Sequence, residues 1–240
     1  MLKKDAITCT LASSIPGVLV TGHSSGAVVM WKRFSEPQEL CKAEDSDPSI
    51  LSIVECLEPH TYCFLTSKNL YILSVDSKEL QCRPIPENLY HVRLVQLLLL
   101  RSKHLLLLGL MGELIEAKLS TTEAVTFRRL PYIFRLESVR AGCYSSQDSL
   151  FYLAFNSLVY KIDLATRELR NIYPFEPGIQ CVAVGNRRIV VALENGEIIV
   201  SQGETISERT RLAAEVRDMC LRASHLMVLT SKGVELFILS

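Results

Sequence analysis

The chain has 240 residues, of which 48% are hydrophobic and 22% charged, and its 26 Lys+Arg are balanced by 26 Asp+Glu. Such a chain is too apolar for disorder and long enough for one or two ordinary domains. The zero net charge argues against a dedicated nucleic-acid or anionic-membrane binder, which carries a basic excess.

Taken in chain order, one phrase recurs. The chain begins Met1-Leu2-Lys3-Lys4-Asp5 and no apolar stretch follows, so no signal peptide is expected. A short apolar strand starts near Ile7. A second starts at Val18 and runs into a turn ending at Gly26, and an alternating strand follows to Trp31. A more polar strand at 39–42 closes the unit. The second unit has its first strand near Ile50, its turn at Asn69 and its closing strand at 80–83. The third has Val92, Gly112 and 124–128, and the fourth Leu136, Asn156 and 168–172. The fifth has Ile179, Gly196 and 205–209. The sixth has Val216 and Gly233.

The turn residues stand at 26, 69, 112, 156, 196 and 233, spaced 43, 43, 44, 40 and 37 apart. The first strands are spaced 43, 42, 44, 43 and 37 apart. Two markers with one period identify an internal repeat. Gly and Asn adopt the positive φ that a tight hairpin turn requires. Several first strands share a flavour: Ile7-Thr8-Cys9, Ile179-Gln180-Cys181, and Val216-Arg217-Asp218 leading to Cys220. The second strands are apolar on consecutive residues, as in strands covered on both faces. The closing strands carry charge, which blunts an edge. All nine prolines are placed between strands, where no ladder donor is lost.

Residues 94–111 form the most apolar stretch, but Arg101, Lys103 and His104 interrupt it. Two buried strands joined by a polar turn are expected there, rather than a bilayer span. One segment, 207–222, has helical amphipathicity, and it overlaps strand signals. The eight cysteines (9, 41, 56, 63, 82, 143, 181, 220) include no Cys-x-x-Cys pair. Zinc is not expected, and the reading is reduced, largely buried thiols in an intracellular protein, cytoplasmic or nuclear.

Four strands per unit of about 40–45 residues, six times over, predict an all-β, six-bladed β-propeller. The chain is read as a single domain over residues 1–240. Its repeats are approximately 5–47, 48–89, 90–133, 134–176, 177–213 and 214–240. A β-sandwich, or two small β domains with accidental spacing, is the competing fold. Residues 18–33, Val-Leu-Val-Thr-Gly-His-Ser-Ser-Gly-Ala-Val-Val-Met-Trp-Lys-Arg, resemble the second and third strands of a WD-repeat blade. Lys32 stands where that family has Asp after Trp. The resemblance covers the whole chain in period and one blade in motif, and it implies a divergent WD-repeat-like propeller.

The last repeat lacks a fourth strand. Three alternatives are open: residues 1–4 pair with the apolar segment carrying Val234, Leu236 and Ile238, or a partner chain donates a strand, or a partner donates a whole blade. The sequence has no nucleophile elbow, phosphate loop or His-Glu-x-x-His. His23, His60, His91, His104 and His225 lie apart from one another. No enzyme activity and no cofactor is expected. The expectation is a non-catalytic scaffold, a subunit of a larger multiprotein complex with other protein subunits as partners. Membrane insertion and direct nucleic-acid binding are not expected. The alternative is an accessory RNA-positioning subunit of an RNA-processing or RNA-modifying enzyme, built on Arg128, Arg129, Arg187 and Arg188. The resemblance places a partner-binding rim at His23, Lys68, Tyr90, Arg93, Met111, Glu194, Arg217 and Lys232, with Tyr and Arg as the types enriched in hot spots.

Overall fold

In the structure, a computed structural model, residues 5–239 are described except 34, 57–59, 102, 121–123, 132–138, 146–148, 167, 203–204 and 223; for 169–172 only the backbone is described. The chain divides into two compact units, Met1–Gly109 with Glu113–Pro131, and Leu110–Gly112 with Tyr132–Ser240.

The first unit holds three four-stranded antiparallel meanders. The first sheet is β1 (Ile7–Ala12), β2 (Val18–His23), β3 (Ala27–Lys32) and β4 (Glu36–Lys42). The second is β5 (Ser52–Glu55), β6 (Thr61–Leu65), β7 (Asn69–Ser74) and β8 (Glu79–Pro84). The third is β9 (Leu94–Arg101), β10 (His104–Gly109), β11 (Leu114–Lys118) and β12 (Thr126–Arg129). A single 3₁₀ turn, Glu87–Leu89, precedes β9. The second unit holds β13 (Val139–Ser145), β14 (Leu150–Phe155), β15 (Leu158–Asp163) and β16 (Glu168–Pro174). Next come β17 (Ile179–Gly185), β18 (Arg188–Leu193), β19 (Glu197–Gln202) and β20 (Thr205–Arg211). The last sheet has three strands among the described residues: β21 (Val216–Arg222), β22 (His225–Thr230) and β23 (Gly233–Ile238). Among the described residues no helix is long and apolar enough to cross a membrane.

The consecutive apolar runs form second strands, buried on both faces. In β10, Leu105, Leu106, Leu107 and Leu108 are all fully buried, so alternate side chains enter neighbouring layers. In the first unit one core lies between its first and second sheets, around Val20, Ile50, Tyr62 and Phe64. A second lies between its second and third, around Cys63, Leu70, Leu97 and Leu107. In the second unit a continuous core joins all three sheets through Val182, Val190, Ile199 and Val228. Residues 94–111 form the two buried strands expected of them, and 207–222 are strand rather than helix.

The shared flavour of the first strands has a structural cause. Ile7 pairs with His23 and Cys9 with Gly22, so Thr8 is an extra residue. Gln180 and Arg217 are the equivalent extra residues in β17 and β21. Arg140 in β13 and Val95 in β9 repeat the pattern. A one-residue bulge re-aims the side chains that follow it. Thus Arg217 is exposed on a strand whose next inward residue, Met219, is buried.

Several sequence expectations need correction. The turn glycines 26, 112, 196 and 233 and Asn156 have positive φ, but Asn69 does not; it begins β7 and spends its side chain on a hydrogen bond to Asp45. Glycine is required at 196, where φ is +80° and an added Cβ would lie 2.8 Å from the Leu212 carbonyl oxygen. Three prolines lie inside strands: Pro37 second in β4, Pro84 last in β8 and Pro174 last in β16. All three strands are outermost in their sheets, where a missing donor faces away from the ladder. The first strands expected at Ile50 and Val92 begin at Ser52 and Leu94, and Leu136 lies outside the described residues.

Candidate interaction surface

In several sheets the hairpin turn between the second and third strands is tied to the segment leading into the first strand, as where the Ser24 N–H donates to the Ala6 carbonyl at 2.8 Å and the Ser231 N–H to the Glu215 carbonyl at 2.9 Å. In the first sheet a polar chain makes the tie. The Trp31 Nε1–H donates to Thr21 Oγ1 at 2.9 Å, and Thr21 Oγ1 lies 2.9 Å from His23 Nε2. His23 Nδ1 is 3.3 Å from Asp5 Oδ2. Asp5 also accepts from the Ser25 N–H at 2.9 Å, the Ser25 hydroxyl at 2.7 Å and the Ser24 hydroxyl at 3.2 Å. Burial pushes the Asp5 carboxyl up, but the Ser25 bonds, the His23 ring and Ser24 outweigh it and hold the group below the ordinary carboxylate value.

A depressed folded value means a stabilising contribution that is present above the unfolded pKa of about 3.9 and lost as pH falls through the folded value. The side chain is 39% exposed, so solvent screening keeps the effect modest. Asp5→Asn is therefore expected to be less stable than the parent near neutrality. The gap in denaturant midpoint should narrow as pH is lowered to about 3. A gap that is constant with pH would show that the carboxylate charge plays no part in the latch.

Asp45 does the same for the second sheet. It accepts from the Tyr71 hydroxyl at 2.7 Å, from the Asn69 side-chain amide and from the Thr66 hydroxyl. Burial, the hydrogen bond to Asp45 and the neighbouring Cys82 push the Tyr71 phenol up.

The expected rim residues are placed as follows. His23 is only 8% exposed, so it positions the turn from within and presents no outer surface. Lys68 is exposed and its Nζ donates to Ser46 Oγ at 3.3 Å. Tyr90, 50% exposed, caps the 3₁₀ turn, and Arg93 is exposed just before β9. Met111 is exposed in the β10–β11 turn. Glu194 pairs with Arg140 at 3.3 Å. Arg217 is exposed on its bulge, and Lys232 Nζ donates to the Ala213 carbonyl at 3.4 Å. A turn residue therefore meets its incoming segment in Lys68 with Ser46, and a turn residue meets the first strand of the neighbouring sheet in Glu194 with Arg140 of β13.

The other exposed feature is β23. All its residues are exposed except Phe237, which is half-buried, whereas β7, β11 and β19 are mostly buried or half-buried. Val234, Leu236 and Ile238 alternate along one face and are 36%, 50% and 74% exposed. Beside the strand is a cavity of about 130 Å³, lined by Ile198, Val200, Glu208, Thr210, Leu226, Phe237, Ile238 and Leu239. The closure expected from residues 1–4 lies outside the described residues. Among the basic pairs, Arg128 bonds Glu116 at 3.1 Å and Arg129 lies 3.3 Å from His91 Nε2. Arg187 and Arg188 belong to the other unit.

No family model matches the chain, and no curated protein matches its sequence. Solved structures do match. The C-terminal WD40 domain of Sif2 superposes with TM-score 0.62 at 12% identity, over 99% of this chain and 68% of that one. The β-propeller domain of Cps50 (Swd1) from Myceliophteria thermophila superposes with TM-score 0.71 at 12% identity, over 99% of this chain and 83% of that one. The fold is a six-bladed, WD40-like β-propeller. Its blades are the sheets described above, and β4, β8, β12, β16 and β20 are the outer strands that the sixth blade lacks among the described residues. In this propeller the Asp5 and Asp45 latches were missed by sequence reading. The available signal was Thr21 and Thr66, each placed just before a turn, with an acidic residue upstream, Asp5 and Asp45 respectively.

Proposed function

We propose that residues 1–240 act as one propeller domain, a non-catalytic scaffold subunit of a larger protein assembly. The partner-facing surfaces are the rim residues Lys68, Tyr90 and Arg93 of the first unit and Met111, Glu194, Arg217 and Lys232 of the second, with His23 holding the β2–β3 turn from within, and the outer edge of β23. The supporting observation is the exposed apolar face of β23 in a blade with three described strands. An apolar edge strand templates the addition of another strand, and soluble proteins rarely leave one bare. A partner strand laid antiparallel along β23 would occupy the place that β4, β8, β12, β16 and β20 hold in the other blades.

The test is co-purification from native material. Leu236→Arg combined with Ile238→Arg changes only exposed side chains, so stability should move by no more than about 0.5 kcal/mol. The variant is expected to lose a stoichiometric protein partner that the parent retains. A parent that purifies without any protein partner sinks the reading. RNA retention that falls steeply with salt would favour an RNA-positioning subunit instead.

A further inference from the structure

The β5–β6 hairpin carries two thiols on one face. Cys63 lies opposite Val54, and Cys56 comes two residues after Val54, so the period-two alternation of a strand turns both the same way. The Cys56 N–H donates to the Thr61 carbonyl at 2.8 Å, which holds its backbone in the ladder. The sulfurs are 3.2 Å apart. A disulfide bond is about 2.05 Å long, so each sulfur needs to move only about 0.6 Å to form one.

The two thiols differ in their surroundings. Cys63 is fully buried in the core with Leu65, Leu70 and Leu97, whereas Cys56 is half-buried at the hairpin end. The hydrogen bond to Cys56, burial and the charge of a Cys56 thiolate all push the Cys63 thiol well up. Cys63 is therefore the enclosed, protonated sulfur and Cys56 the more accessible one, which makes Cys56 the sulfur that meets the oxidant and attacks first.

We infer that Cys56 and Cys63 form a reversible dithiol–disulfide site whose oxidant is hydrogen peroxide. The Cys56 thiolate attacks one peroxide oxygen and the O–O bond breaks, giving Cys56 sulfenic acid and a hydroxide that is protonated to water. The Cys63 sulfur then attacks the sulfenic sulfur. The S–S bond forms, the S–O bond breaks, and the proton of Cys63 leaves with the hydroxide as a second water. The two thiols give up two electrons and the peroxide takes them. The product staples the end of the β5–β6 hairpin to a core strand of the second blade.

The experiment uses the reduced full chain treated with equimolar hydrogen peroxide, blocked with iodoacetamide and mapped by mass spectrometry. The peptide carrying Cys56 and Cys63 should be unalkylated and about 2 Da lighter, the mass of the two hydrogens lost. A thiol reductant should restore it. In Cys63→Ala, Cys56 sulfenic acid should persist and be trapped by dimedone. In Cys56→Ser, which spares the core, Cys63 should stay a thiol at the same peroxide dose. The inference is overturned if both cysteines are alkylated while the exposed Cys82 has oxidised, or if Cys56 proceeds to the sulfinic acid beside an intact Cys63.

Discussion

Phe64→Ala should cost about 3–5 kcal/mol of unfolding free energy, the usual range for removing a fully buried aromatic side chain. Phe64 has no exposed surface. It sits in the second strand of its blade, and its ring stacks on the cross-strand Tyr71 with centroids 4.8 Å apart and planes 6° from parallel. Around it are Ile50, Ile53 and Tyr62, held by two sheets at once, so little can collapse into the space left behind. Domains are stable by only about 5–15 kcal/mol, so this one substitution removes a large fraction. Equilibrium denaturation is the measurement, with Phe64→Leu as the milder control. A loss below about 1 kcal/mol would show that the stacked pair is not packed between sheets as described.

The second large effect is expected at Asp45, where the loss is polar rather than apolar. Asp45→Ala leaves the Tyr71 hydroxyl, the Thr66 hydroxyl and the Asn69 amide without their shared acceptor. Each buried donor left unsatisfied costs about 1–3 kcal/mol, and water recovers part of this at a partly buried site. A net loss of about 2–4 kcal/mol is expected, with unchanged denaturant dependence. Asp45→Asn keeps one acceptor oxygen and should lose less. Equal losses in the two variants would mean that the backbone of the incoming segment, and not the carboxylate, sets the turn.

The candidate surface was only partly legible in the sequence. The turn positions that place Lys68, Met111, Glu194 and Lys232 could be read, because Gly112 and Gly196 punctuate the chain and apolar strands flank them. His23 was placed with them from position alone, and its burial could not be foreseen. It depends on Trp31, Thr21 and Asp5, three residues that come together only when the β2–β3 hairpin closes and the incoming segment lies across it. Asp45 was hidden for the same reason. Its partners are more than twenty residues downstream, and the linker around it has no periodicity to mark it.

The chain by itself determined the number of repeats, the strand content and the buried second strands. These follow from local patterns, namely runs such as Leu105 to Leu108, turn glycines, and charged closing strands. Only the tertiary structure decided which polar residues latch the turns, where the first strands bulge, and how close Cys56 stands to Cys63. A bulge or a latch is set by the register between strands. Register is an outcome of whole-sheet packing, in which a shift of one residue exchanges the buried and exposed faces.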